Sequence, residues 1–128
     1  MNRFLTMVAA AAVVLAVSAP AHASGSGSDG PVHIHVTGTK LHVSRVEATL
    51  DGHHAGARAQ VSLWQHRDGL DRPVRDVTRW KSSTAREVGA LKYERAAWTL
   101  NQSFPNNSRL CVSFTGQAGR LACVTIHK

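Results

Sequence analysis

The sequence has little cysteine, and it has none of the short motifs that most often carry catalysis or bind metal. Its 128 residues include only two cysteines, and they contain no C-x-x-C, H-E-x-x-H or G-x-S-x-G segment. The familiar signatures of thiol redox enzymes, zinc proteases and serine hydrolases are therefore missing. The eight aspartates and glutamates form no recognisable catalytic pair. We accordingly expect a protein that is not an enzyme and that binds no cofactor.

Aromatic residues are also scarce, at 5% of the chain, and they do not alternate with arginine. Such alternation is typical of proteins that stack nucleic-acid bases, so nucleic acid is not an expected partner. The net charge of +7 has two interpretations. It could attract an acidic partner, an anionic wall polymer or a membrane surface, or it could serve only to keep the protein in solution.

The N-terminal residues have the three parts of a secretory signal peptide. Met1-Asn2-Arg3 is short and basic, residues 4–17 are apolar, and Ala21-His22-Ala23 has the small residues of a cleavage site. This order predicts a signal peptide over residues 1–23, and hence a secreted, extracellular protein. The apolar run is shorter than the ~20 residues that span a membrane, so we expect no membrane insertion. The abundance of Ala, Arg, Gly and Val indicates a bacterial genome rich in GC.

The remaining chain is predicted to form a short lead segment and one domain. Residues 24–30, with the sequence SGSGSDG, predict a flexible N-terminal extension because they offer nothing to bury. From Val32 to Val36 apolar and polar residues alternate, as in a half-buried strand, and further short alternating runs follow between turn residues. Residues 31–128 are therefore predicted to be an all-β domain, a small antiparallel β-sandwich or barrel.

Residues 65–79 interrupt the alternating pattern. They combine four arginines and three aspartates with Gly69 and Pro73. We interpret them as a long charged surface loop, and long ordered loops are often functional. Residues 80–89 fit either a strand or a short turn of helix.

The C-terminal residues predict a disulfide-bonded hairpin. Apolar residues alternate on both sides of a turn at residues 116–119. If a three-residue loop sets Thr115 opposite Gly119, with Gly119 in the left-handed conformation, then Cys111 lies opposite Cys123. The apolar side chains share one face in this register, and both sulfur atoms lie on the other. Because two cysteines in an exported chain favour a disulfide, we expect a cross-strand bridge between them.

Two groups of side chains are candidates for binding. His33 and His35 point the same way from one strand, and His42 lies in the next strand segment; imidazoles grouped on one face can bind zinc or copper. The alternative is a polar strand face with exposed histidines, because no carboxylate stands at a spacing that completes a site. Trp64 has the parity of the polar residues in its strand, which predicts a surface position typical of an interface anchor.

The organisation of the chain resembles that of the small secreted adaptor subunits of umbrella toxin particles from filamentous high-GC bacteria. The matching features are the signal peptide, the extension Ser24–Gly30, the β domain and the closing pair Cys111 and Cys123. In that family a flexible extension inserts into a cleft of a lectin-bearing subunit, and the globular body meets a large toxin subunit. The resemblance implies a non-catalytic adaptor of an extracellular toxin complex, and it offers no motif that would transfer individual binding residues.

The expected function is therefore a secreted module that binds protein. A stand-alone protease inhibitor, an antimicrobial protein and a histidine-based metal-binding protein are the alternatives. We expect the partner to contact the extension, the strand after it as a sheet edge, and the charged loop. The predicted contact residues are Ser24, Gly25, Ser26, Gly27, Ser28, Asp29, Gly30, Val32, Ile34, Trp64, Arg67, Arg72 and Arg75.

Overall fold

The computed structural model of the protein describes residues 24–128, and the predicted signal peptide lies outside these residues. The described chain is built from strands and turns, and no helix in it could cross a membrane. Its strands are β1 (Gly25–Asp29), β2 (Val32–Thr39), β3 (His42–Asp51), β4 (Arg58–Arg67), β5 (Leu70–Asp76), β6 (Lys81–Ser82), β7 (Thr84–Val88), β8 (Leu91–Ser103), β9 (Ser108–Phe114) and β10 (Ala122–Ile126).

The strands form two antiparallel sheets that pack as a sandwich and do not close into a barrel. Sheet A has the order β1-β2-β3-β8-β7. Sheet B has the order β10-β9-β4-β5, and the short β6 pairs with the first two residues of β4. The prediction of an all-β antiparallel sandwich with one disulfide is confirmed.

The core lies between the sheets and follows from the period-two alternation of the strands. In β2, Val32, Ile34 and Val36 are buried, whereas His33 and His35 belong to the outer face. The same alternation buries residues of β3, β4, β9 and β10 from the facing sides. Burial of each large aliphatic side chain stabilises the fold by about 1.5–3 kcal/mol, so this layer holds the two sheets together.

The C-terminal hairpin has the predicted register. Cys111 pairs with Cys123, flanked by the apolar pairs Val112–Ala122 and Leu110–Val124, and the two sulfurs are bonded. Gly119 has a φ of 79°, the left-handed conformation that was expected. The connection differs from the three-residue loop of the prediction, because the strands end at residues 114 and 122 and two successive turns join them.

The extension predicted to be flexible is instead a strand of sheet A. Residues 25–29 pair antiparallel with β2, and this places β2 between β1 and β3 rather than at the edge of the sheet. On its other side β1 lies against β10, where the side chain of Asp29 accepts a hydrogen bond of 2.9 Å from the backbone N–H of Leu121. The prediction failed because these contacts are tertiary, and a Gly/Ser alternation carries no hydrophobic signal for them.

The charged loop predicted at residues 65–79 is mostly a hairpin. β4 continues to Arg67, and β5 returns from Leu70 after a turn at Asp68-Gly69. These two turn residues have φ values of 54° and 76°, as a two-residue type I′ turn requires. All residues from 65 to 76 are exposed, so both faces of the hairpin carry polar groups. The sequence therefore lacks the apolar–polar alternation that would have predicted these strands. The segment after it, residues 80–89, forms strands β6 and β7.

The chain crosses from sheet B to sheet A at Ser83, between β6 and β7. The Ser83 hydroxyl donates a hydrogen bond of 2.8 Å to Glu94 Oε1, and the backbone N–H of His54 donates one of 3.1 Å to Glu94 Oε2. Glu94 is only 4% exposed. A buried carboxylate is costly unless it is hydrogen-bonded, so this residue ties the crossing point to the loop after β3.

Candidate functional site

The structure separates the predicted contact residues into three groups. Val32 and Ile34 are 0% and 2% exposed and belong to the core, so their assignment to a partner surface was wrong. Residues 25–29 form β1, the terminal strand of sheet A, and Ser24 and Gly30 flank it. Arg67, Arg72 and Arg75 are exposed on the β4–β5 hairpin, and Trp64 is half-buried beside them. The arginines of the hairpin keep exposed side chains, as do Ser24, Ser26 and Ser28 of the second group.

The serines of β1 bond to the histidines of β2 on the outer face of sheet A. Ser26 Oγ lies 2.9 Å from His35 Nδ1, and Ser28 Oγ lies 2.7 Å from His33 Nδ1. His33 Nε2 lies 3.1 Å from both carboxylate oxygens of Asp51 on β3. Because a carboxylate only accepts, His33 Nε2 donates to Asp51.

This Ser–His–Asp row differs from the triad of serine hydrolases. There Nε2 faces the serine and Nδ1 faces the aspartate, and backbone N–H groups form an oxyanion hole. In this protein the ring nitrogens are reversed, and the row lies on an exposed strand face. Its geometry is that of a polar ladder that joins β1, β2 and β3.

The three histidines proposed as metal ligands are not brought together. His33 pairs with Thr49 near one end of β3, whereas His42 is the first residue of β3 and pairs with Thr39 and Ser103. Within residues 24–128 no group of three or more His, Cys, Asp or Glu side chains could hold a metal ion. The metal-binding alternative therefore has no support in the geometry.

The exposed large hydrophobic residues share one region of the chain. Each of those found among residues 24–128 lies between the start of β5 and the start of β8, and they are Leu70, Val74, Trp80, Val88 and Leu91. This stretch, residues 70–91, forms the side of the sandwich opposite β1 and β10, with β5 and β7 as the terminal strands of the two sheets. We call it the open rim.

The two terminal strands of the open rim differ as templates for pairing. β5 contains Pro73 and a register shift opposite Leu63 and Trp64, and such irregularities discourage the addition of another strand. β7 has neither, and its residues Thr84–Val88 are all exposed. Its unpaired side is therefore the more regular edge of the described structure.

The tryptophan most available to a partner is Trp80. It is 42% exposed and stands between Arg79 and Lys81 on the open rim. Lys81 does not extend freely, since its ammonium group lies 5.9 Å from the centre of the Trp98 ring and donates to the carbonyl of Ala97. Strand parity predicted a surface position for Trp64 and none for Trp80, because residues 80–89 have no clear alternation.

The outer face of sheet B carries a second arrangement around Trp64. The Asp71 carboxylate accepts hydrogen bonds of 2.8 Å from His66 Nδ1 and of 2.8 Å from Arg109 Nη1. These bonds, the one from His66 foremost, lower the pKa of Asp71 below its ordinary value of 3.8. Arg109 Nε is buried without a partner among the described residues. The cluster was missed because it depends on the β4–β5 hairpin, for which Asp68-Gly69 was the available signal.

Comparison with known protein families, with curated proteins and with solved structures finds no match to this chain. The interpretation of its surfaces therefore depends on their own geometry and chemistry.

Proposed function

We propose that this protein is a secreted, non-catalytic module that binds protein, acting as an adaptor in an extracellular complex. The main support for this proposal is that the exposed large hydrophobic residues of the described chain all lie on the open rim. Exposed apolar side chains in one region, next to charged ones, are typical of interaction surfaces. The proposal moves the partner surface from the predicted extension to the opposite side of the sandwich.

The open rim fits an extended segment of the partner better than a flat surface. Its apolar residues follow one another along β5, the linker at residues 77–80 and the β7–β8 hairpin, instead of forming a single compact patch. A partner strand added to β7 would satisfy the backbone groups of that edge, and alternate side chains would give specificity. Trp80 and Val88 would supply anchors on either side of the crossing at Ser83.

The charge of the open rim predicts that this segment is acidic. Residues 70–91 contain five cationic and three anionic side chains. Arg79 and Arg86 are exposed, and neither forms an ion pair within the described chain. Charge complementarity of this kind mainly raises the association rate and selects between partners.

A capture experiment tests the proposal. Tagged protein is incubated with culture supernatant of the producing bacterium, and the retained proteins are identified. We expect a stoichiometric partner that is retained by the wild type and lost from the double variant Arg79→Glu, Arg86→Glu and from Trp80→Ala. Arg45→Glu is the control, because Arg45 is exposed on β3 inside sheet A and undergoes, at one site, the charge reversal that the double variant makes at two.

Hydrogen exchange then locates the contact. With the captured partner bound, the amides of residues 84–88 should become protected, while those of β1 should not change. Retention of the partner by the rim variants at wild-type level would refute the proposal. Inhibition of a protease or killing of cells by the pure protein alone would also count against an adaptor.

A further inference from the structure

The outer face of sheet B is concave around Trp64. A cavity of about 460 Å³ is lined by His66, Asn107, Arg109 and Thr125. A second, of about 320 Å³, shares His66 and Asn107 and adds Trp64. We call these residues, with Asp71 between His66 and Arg109, the Trp64 cleft. A third cavity of about 500 Å³ continues on the other side of Trp64.

The polar groups of the Trp64 cleft mix donors with acceptors. The Asn107 amide and the Thr125 hydroxyl offer both, the guanidinium of Arg109 donates, and the carboxylate of Asp71 accepts. The carboxylate of Asp71 lies 2.8 Å from Arg109 Nη1, so its negative charge offsets the positive charge of Arg109. Arg67, which lines the second cavity and forms no ion pair with the described residues, is the one arginine of these two cavities whose charge is not offset. A single exposed guanidinium gives the cleft little excess charge with which to select a phosphate, a sulfate or a basic peptide. It suits a neutral ligand that bears several hydroxyl groups.

Trp64 supplies the apolar part of the cleft. Its Nε1–H donates a hydrogen bond of 2.9 Å to Ser62 Oγ, so the donor of the indole is already used. The half-buried ring is thereby held in place and offers carbon surface to the cavities on both sides. A rigid aromatic surface flanked by a few placed polar groups is the usual composition of a small-molecule site. A pyranose ring, which has an apolar C–H face and a rim of hydroxyls, matches both parts.

We propose that the Trp64 cleft binds a neutral oligosaccharide. The C–H face of one sugar ring lies against Trp64, and its hydroxyls bond to Asp71, Arg109 and Asn107. The second and third cavities, which both include Trp64 in their lining, leave room for adjoining sugars. The lowered pKa of Asp71 keeps its carboxylate ionised as an acceptor over the pH range of the binding experiments. This site is separate from the open rim and does not depend on the proposed protein partner.

The test uses the purified protein and a panel of short neutral oligosaccharides built from glucose, N-acetylglucosamine, galactose or mannose. Binding is followed by tryptophan fluorescence and by amide chemical shifts. At least one member should bind saturably, with shifts centred on Trp64, His66, Asn107 and Arg109. Trp64→Ala and Asp71→Asn should each weaken that binding by about tenfold or more, which corresponds to about 1.4 kcal/mol. Trp80→Ala is the control, since it removes an exposed tryptophan outside the cleft.

Two further variants keep the test valid if Trp64→Ala fails to fold. Asn107→Gly and Thr125→Val remove single polar groups from exposed positions, and glycine adopts the φ of 67° at residue 107 without strain, so each should weaken binding while leaving the thermal midpoint nearly unchanged. The proposal is overturned if no neutral oligosaccharide binds below about 10 mM. It is equally overturned if folded cleft variants bind like the wild type, or if inorganic phosphate and sulfated oligosaccharides bind while the neutral ones do not.

Discussion

Gly27 in β1 lies directly against the backbone of Cys123 in β10. A Cβ added at Gly27 would overlap the carbonyl oxygen of Cys123, whereas one added at Gly25 would lie 3.0 Å from Cγ1 of Val124. The first obstacle is rigid backbone, and the second is the end of a side chain. The two sheets can therefore close on this side only because β1 carries glycine where it approaches β10.

This contact predicts that Gly27→Ala destabilises the protein more than Gly25→Ala. Overpacking of this kind costs about 1–3 kcal/mol, and the Gly25 variant should lose less because the Val124 side chain can move. The free energy of unfolding from urea titration is the measurement. Equal stability of the two variants would show that β1 does not approach β10 as described.

A related prediction concerns the removal of residues 24–30. A flexible extension could be deleted at no cost to stability, but loss of β1 removes the ladder with β2 and the bonds from Ser26, Ser28 and Asp29. We expect a clear fall in the thermal midpoint of the truncated protein, with the substitutions Ser26→Ala and Ser28→Ala together giving a smaller fall. An unchanged midpoint after the deletion would restore the sequence-based interpretation of a spacer.

The contrast between the two ends of the chain shows what sequence reasoning could reach. At the C-terminal hairpin, hydrophobic alternation, turn chemistry and the cysteine positions all required the same register, so the pairing of Cys111 with Cys123 was predictable. At the N-terminus, β1 is stabilised by a close approach to Cys123 and by histidines on a neighbouring strand. No local pattern in a Gly/Ser run reports such contacts, because they depend on residues far along the chain.

The functional surfaces were harder to predict for a related reason. Arg67, Arg72 and Arg75 are exposed as expected, but Val32 and Ile34 have the parity of the core and could not also serve a partner. The bonds of Asp71 to His66 and Arg109 join β4, β5 and β9. Such a cluster becomes visible only when the hairpin turn is recognised and the sheet order is known.

The disulfide should contribute strongly to stability. Cys111 and Cys123 are separated by 12 positions, and a closed loop of this size stabilises a fold by about 3 kcal/mol through the entropy of the unfolded chain. Replacing both cysteines with alanine should lower the free energy of unfolding by about this amount without changing the register of the hairpin. Mass spectrometry of the intact exported protein should find no free thiol, and two free thiols would contradict the structure.

Glu94 predicts a graded loss of stability at the crossing between the sheets. Glu94→Ala leaves the His54 N–H without its acceptor, whereas the Ser83 hydroxyl can still donate to the carbonyl oxygen of Ala57 at 3.0 Å. An unmatched polar group costs about 1–3 kcal/mol when it is buried. Glu94→Gln keeps one acceptor oxygen and should cost less. Hydrogen exchange should show faster opening of residues 52–57 in the alanine variant. Wild-type stability and wild-type hydrogen exchange in the alanine variant would mean that these bonds do not stabilise the crossing point at Ser83.

The ion cluster of the Trp64 cleft predicts a pH dependence with a definite sign. The folded-state pKa of Asp71 is lowered, so its contribution to stability is present above the ordinary pKa of 3.8 and is lost as the pH falls through the folded value. The difference in unfolding midpoint between the wild type and Asp71→Asn should therefore be present at neutral pH and shrink in acid.

The same measurement in high salt tests whether that difference is electrostatic. The side chain of Asp71 is 39% exposed and its charges are partly screened, so added salt should also reduce the difference. Asp76→Asn is the matched control, because Asp76 lies on the same strand and forms no ion pair with the described residues. A difference between the wild type and Asp71→Asn that persists unchanged into acid would show that the Asp71 side chain stabilises the hairpin by packing. In that case its bonds to His66 and Arg109 would not fix the geometry of the cleft.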